Sequence, residues 1–193
     1  MKLVLATRNA HKARELAALL APHEVVALPD DVVLPPETGE TFVDNAREKA
    51  RAAARATGLP AVGDDSGIEA AALGGAPGVR SARFAGEHAS DEQNLAKLLR
   101  DAPTGSQLAY VCALVVADHD GAVHAVEGRC TGTHAAAPRG AVGFGYDPAF
   151  LPDDIPDGRT MAALDPRRKD AISHLGRAAR ELLAVLAAPR RAA

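Results

Sequence analysis

The chain has 193 residues, a length that predicts one domain able to bury roughly 70% of its unfolded surface without disulfide support. Its net charge of −3 argues against a protein that coats nucleic acid, where a basic stripe is expected, but leaves room for a small anionic substrate held by a few local cations. The two cysteines, Cys112 and Cys130, form no CxxC pair or Cys/His cluster, which speaks against zinc and suits a reducing cytoplasm, and no apolar run approaches the roughly 18 residues of a membrane span.

In chain order, residues 2–7 read as a strand that begins at the N-terminus without a signal-peptide pattern and runs into Thr7-Arg8-Asn9. A helix follows over 11–21, with Ala13, Leu16, Ala17, Leu19 and Leu20 on one face and Pro22 as its stop. Val25 to Leu28 form a second strand, and the proline-rich stretch 29–40 is loop. Thr41 caps a helix to about Thr57, with Asp44 in the capping-box position and Gly58 at the end. Two short strand segments, 61–64 and 67–73, are expected to be broken at Asp64-Asp65, where Gly63 and Gly67 allow a bend.

Gly74 opens an irregular loop to Ala89, and Ser90 with Gln93 box the start of a helix over 91–100. Residues 107–117 are the strongest strand, joined through an Asp120-Gly121 hairpin to another over 122–132. A glycine-rich aromatic stretch, 140–150, precedes a final helix over about 170–187 and a disordered tail over 189–193. Helices alternating with strands early, and an antiparallel pair late, predict an α/β fold with a mixed sheet.

Three constellations carry chemistry. Thr7-Arg8-Asn9-Ala10-His11-Lys12 lies where the first strand passes into a helix, a position that favours anions through unpaired N–H groups and the helix dipole. A lysine in a first helical turn opposes that dipole, and a bound phosphate would reverse the sign. A solvated loop fits these residues equally well. The second is Asp64-Asp65-Ser66-Gly67, where Asp65 with Glu37 could form the open carboxylate site that magnesium prefers; a solvated turn is the alternative. The third is Gly143-Phe144-Gly145-Tyr146-Asp147-Pro148, which gathers two of the six aromatic residues and reads as a base-stacking pocket or as core aromatics beside a bulge. Lys169, Ser173 and His174 lie near the start of the last helix, where Lys169 could reach a phosphate or base.

Six segments, LATRNAHK, ETGETFVDNA, GDDSG, LGGAPGVRSARFAG, GFGYDP and KDAISH, follow one another over residues 3 to about 187. Together they resemble the inosine triphosphate pyrophosphatase family. The resemblance implies an elongated α/β fold in two lobes around a central cleft, a cytoplasmic homodimer, and Mg²⁺-dependent hydrolysis of ITP, dITP and XTP to the monophosphate and pyrophosphate. It implies triphosphate contacts across Thr7, Arg8, Asn9, Ala10, His11 and Lys12, metal ligands Glu37 and Asp65, and Asp65 as general base. It further implies nucleoside contacts from Ser66, Phe144, Gly145, Tyr146, Asp147, Lys169, His174 and position 175. Leu175 stands where the family has an arginine that recognises the purine 6-oxo group, so base selectivity is the property this departure touches. A nucleotide sensor without chemistry, and a pyrophosphatase for a modified pyrimidine nucleotide, are the competing readings.

Overall fold

The computed structural model describes residues 1–188; the tail expected at 189–193 lies outside them. The six strands are β1 (Lys2–Ala6), β2 (Glu24–Ala27), β3 (Ala61–Ala70), β4 (Gln107–Ala117), β5 (Val123–His134) and β6 (Phe150–Pro152). The helices are α1 (Ala10–Leu19), α2 (Phe42–Thr57), α3 (Asp91–Asp101), α4 (Pro166–Ile172) and α5 (His174–Ala187). The strands form one mixed sheet in the order β2-β1-β3-β4-β5-β6. β1 runs parallel to β2 in the register Lys2↔Glu24 and to β3 in the register Val4↔Ala61, whereas β5 and β6 are antiparallel. Parallel neighbours need crossovers, which α1 and α2 supply, and a strand flanked on both sides is apolar throughout: Leu3, Val4, Leu5 and Ala6 are all buried.

The chain divides into two compact units. The first comprises Met1–Asp65, Cys112–Gly128 and the segment from Leu175 onward; the second comprises Ser66–Val111 and Arg129–His174. Leu3, Leu5, Leu16, Leu20, Val62, Leu114, Leu175 and Leu182 belong to the core of the first. Ile68, Leu98, Tyr110, Tyr146, Phe150 and Met161 belong to the core of the second.

Local chemistry set most of the element ends. Thr41 Oγ1 accepts the Asp44 amide at 3.1 Å and Gly58 closes α2 at φ 67°. Ser90 and Gln93 form the complete reciprocal box on α3. Three expectations are corrected. β3 is a single ten-residue strand with no break at the aspartates. The last helical stretch is two helices, because Ser173 adopts extended backbone between α4 and α5. β6 is an additional strand that begins at the end of the glycine-rich aromatic stretch, where no element was expected.

Gly63, expected to help bend the chain, instead admits a neighbour. A Cβ there would lie 2.1 Å from the Ala46 carbonyl oxygen and 2.7 Å from the Ala50 nitrogen, so the α2 backbone rests directly on β3. Gly63→Ala is expected to lower the unfolding free energy by about 1–3 kcal/mol or more, because a helix backbone cannot step aside as a side chain can. Urea denaturation of the two proteins measures it.

Candidate active site

The first unit carries a buried charged cluster. Asn9 is the N-cap of α1: its Oδ1 accepts from the His11 and Lys12 amides at 2.9 and 3.1 Å, and its own amide donates to Thr7 Oγ1 at 3.3 Å. This capping sets the direction of the first helical turn, and Lys12 Nζ reaches Asp64 Oδ2 at 2.8 Å. Because β3 continues unbroken, its side chains alternate. Asp65 lies on the side of Gly63, which faces α2, and accepts from Asn45 Nδ2 at 2.8 Å; Asp64 turns the other way, to Lys12. Both carboxylates are buried, neither facing open solvent.

Asn45 and Lys49 are one helical turn apart on α2, so they share a face. Asn45 Oδ1 also accepts the Gly39 amide at 2.7 Å, while Lys49 Nζ holds Glu37 Oε1 at 2.7 Å. The Glu37 loop and the Asp65 strand are thus tied to the same face of α2.

These contacts divide the two aspartates electrostatically. Burial alone would raise the Asp64 pKa, but the charges of Lys12 and Lys49 and hydrogen bonds from Lys12 and Thr7 outweigh it and hold the group below the usual value. Burial likewise works against the Lys12 ammonium, and Asp64 more than compensates, so its pKa is raised. Asp65 goes the opposite way. Burial raises it, with Glu37 adding to the effect, against the Asn45 hydrogen bond and the charge of Lys49. One acid of the pair is a fixed anion and the other has enhanced proton affinity.

The other expected phosphate contacts, Arg8, Ala10 and His11, flank this capped turn. The Arg8 guanidinium donates to the carbonyls of Leu28 (3.1 Å), Pro29 (2.7 Å) and Val32 (2.7 Å), and at longer range to that of Asp30 (3.4 Å). Ala10 opens α1 with no polar side chain, and the His11 ring lies 3.0 Å from Arg14.

The second unit carries the residues expected at the base. Asp147 is its hub: Oδ1 accepts from the Tyr110 hydroxyl at 3.0 Å, and Oδ2 from Lys169 Nζ at 3.0 Å and the Phe144 amide at 3.2 Å. With 3% exposure and three internal donors, its carboxylate organises the loop. Gly143 sits at φ 89°, where a Cβ would fall 2.1 Å from Asp147 Oδ2, so glycine is required there.

Lys169 Nζ lies 4.9 Å from the Phe144 ring centroid and the His174 ring stacks on Tyr110 at 4.6 Å. The Gly145 amide donates to Asp91 at 3.0 Å. Ser66, partly buried, directly follows Asp65 on β3. The Tyr146 ring belongs to the core of the second unit and its hydroxyl donates to the Ser81 carbonyl at 2.6 Å. Leu175 is 1% exposed and packs with Leu3, Leu16 and Leu182 in the core of the first unit.

Sequence reasoning did not single out Lys49, Asn45 or Tyr110, which the fold brings to the buried carboxylates. For the first two a signal existed: Asn45 and Lys49 fall on the buried stripe of Ala46, Ala50 and Ala53, where polar residues need buried partners. Tyr110 gave none, since an aromatic in an apolar strand reads as core. Burial and the adjacent Asp147 carboxylate hold its phenol far above its ordinary pKa, so it remains a donor. Tyr110→Phe keeps the ring against His174 but removes a donor from a buried carboxylate. The expected loss is about 1–3 kcal/mol of stability, seen as a lower urea midpoint.

The chain belongs to the Ham1 family, whose model matches residues 3–185. It is 50% identical over 192 residues to a dITP/XTP pyrophosphatase of Aromatoleum aromaticum, covering 96% of each chain. It is 47% identical to a dITP/XTP pyrophosphatase of Shigella flexneri, covering 96% of this chain and 98% of that one. Among solved structures it resembles a HAM1 protein from Coxiella burnetii with a TM-score of 0.85 and 40% identity, covering 96% of this chain and 98% of that chain. The corresponding figures for a nucleoside-triphosphatase / dITP/XTP pyrophosphatase from Mycobacterium abscessus are 0.75 and 43%, covering 97% and 100%.

Proposed function

We infer that this chain is a nucleoside triphosphate pyrophosphatase that hydrolyses the non-standard purine nucleotides dITP, XTP and ITP to the monophosphate and pyrophosphate. The observation that carries the reading is the split acid pair, Asp64 fixed as an anion on Lys12 and Asp65 raised beside Asn45, in a chain half identical to pyrophosphatases of that name. The triphosphate is assigned to Thr7, Asn9 and Lys12, with Lys49 as a further cation. The nucleoside is assigned to Ser66, Phe144, Gly145, Lys169 and His174, on a loop that Asp147 organises.

Family membership implies metal dependence, and magnesium is our choice of ion. Among the described residues no group of three or more His, Cys, Asp or Glu side chains could hold a metal alone. Glu37 and Asp65 supply two carboxylates, which fits an ion that takes its remaining ligands from phosphate oxygens and water. When bound, magnesium offsets phosphate charge and makes water more acidic. Asp65 orients the attacking water and accepts its proton, a role its raised proton affinity serves. Attack at the α-phosphorus displaces pyrophosphate intact, and Lys12 and the capped start of α1 hold the departing β,γ portion.

The test is product analysis with a panel of nucleoside triphosphates, with and without Mg²⁺. Pyrophosphate and monophosphate should form from dITP, XTP and ITP, with much lower kcat/KM for ATP and GTP. Orthophosphate as product, or a preference for a pyrimidine nucleotide, would refute the assignment. A homodimer and a cytoplasmic location belong to the same reading, the former open to light scattering. Among the described residues no helix is long and apolar enough to cross a membrane.

A further inference from the structure

Segment 28–40 has few backbone hydrogen bonds of its own: Val32 to Pro29 at 3.1 Å and Thr38 to Pro36 at 3.1 Å. Its geometry is imposed from outside at both ends. At the far end Gly39 and Glu37 are held by Asn45 and Lys49 of α2. At the near end one side chain gathers the turn: Arg8 donates to three carbonyls at 2.7–3.1 Å, reaches a fourth at 3.4 Å, and lies 3.6 Å from the Asp30 carboxylate. A planar guanidinium with five fixed donors suits convergent carbonyls, a task an ammonium cannot match. Between this turn and Glu37 stand Pro35 and Pro36, whose fixed φ limits how far the intervening chain can absorb a displacement.

We propose that Arg8 is a positioning residue: it clamps the 28–32 turn and so sets the placement of Glu37 relative to Asp65, without touching the nucleotide. The proposal rests on the reading of Glu37 as a metal ligand. Arg8 adjoins Thr7 and Asn9, so one short loop serves two ends, presenting phosphate-facing groups directly and aligning a metal-facing carboxylate at a distance.

The test uses the full-length protein and Mn²⁺ as probe, with binding followed by the electron paramagnetic resonance of the free ion, and amide hydrogen exchange of the metal-free protein. Arg8→Ala should accelerate exchange across residues 30–38 and weaken Mn²⁺ binding by about tenfold, the lower range for residues that orient metal ligands. Arg8→Lys, which keeps the charge but not the fork, should fall between. Glu37→Gln is the control. If it weakens Mn²⁺ binding while Arg8→Ala changes neither exchange nor affinity, the clamp is overturned and the metal assignment stands. If Glu37→Gln leaves Mn²⁺ affinity unchanged, the metal assignment fails and the proposal falls with it. A rise in nucleotide KM for Arg8→Ala with unaltered exchange and Mn²⁺ binding would make Arg8 a direct phosphate contact and also overturn it.

Discussion

Asp65→Asn is expected to abolish pyrophosphate release, lowering kcat by at least ~10²-fold, while making the metal-free protein more stable at neutral pH. The first half follows from losing the proposed general base, worth about 10²–10⁴ in rate. The second follows from the raised pKa of Asp65. A folded state that binds a proton more tightly than the unfolded chain loses stability as pH rises through the folded pKa, and at neutral pH the whole penalty of holding the buried anion is present. Asparagine carries no such penalty and can still accept the Asn45 hydrogen bond through its amide oxygen. The stability gain should therefore vanish below the ordinary aspartate value of 3.8, where Asp65 is protonated in both states. Thermal melts in a chelator across pH 3.5–7.5, beside kcat at saturating Mg²⁺, check both halves. Activity within a few-fold of the parent would remove Asp65 from the mechanism, and equal or lower stability at pH 7 would show that its anion is not strained.

Breaking the Lys12–Asp64 pair from either side is expected to be the most destabilising polar change in the first unit, about 3–5 kcal/mol, because each single substitution strands a buried charge. The side chains are 14% and 1% exposed, so solvent can screen little of it. Lys12→Met leaves the Asp64 carboxylate buried beside Thr7; Asp64→Leu leaves the ammonium without its anion. The double variant Lys12→Met/Asp64→Leu should lose less than the sum, with a coupling of about 0.5–3 kcal/mol. The pH signs agree. Asp64's contribution is present above its unfolded pKa and lost as pH falls through the lowered folded one. That of Lys12 is present below its unfolded pKa and lost as pH rises through the raised one. The pair therefore stabilises across the neutral range. Lys12→Met should also raise the nucleotide KM by roughly 10–100-fold through loss of the proposed charged hydrogen bond to phosphate. Additive single effects in urea denaturation would show the contact to be energetically idle.

How much of this was legible in the linear chain differs by scale. Cap residues announced themselves: Thr41 and Gly58 bracket α2, Ser90 and Gln93 open α3, and Asp120-Gly121 turns β4 into β5, because each satisfies backbone groups within a few residues of itself. Helices alternating with strands early in the chain pointed to a mixed sheet, and β1 runs parallel to both β2 and β3 in it. Where reading failed, a local cue competed with a distant contact. Gly63 and Gly67 suggested a bend at the aspartates, yet Gly63 is there to admit the α2 backbone. Ser173 divides the last helix although the apolar periodicity runs on through it.

The motifs, taken in order, pointed to the family, and the resemblance singled out Lys12, Glu37, Asp65, Lys169 and His174 as candidates. Only the fold decided what each does. It sent Arg8 to four loop carbonyls, closed Asp147 into a buried hub, put Tyr146 and Leu175 into hydrocarbon, and brought Asn45 and Lys49 to the acids. The reason is physical: charge and hydrogen-bonding capacity are properties of a side chain, whereas proton affinity and partner choice depend on burial and on groups tens of residues away.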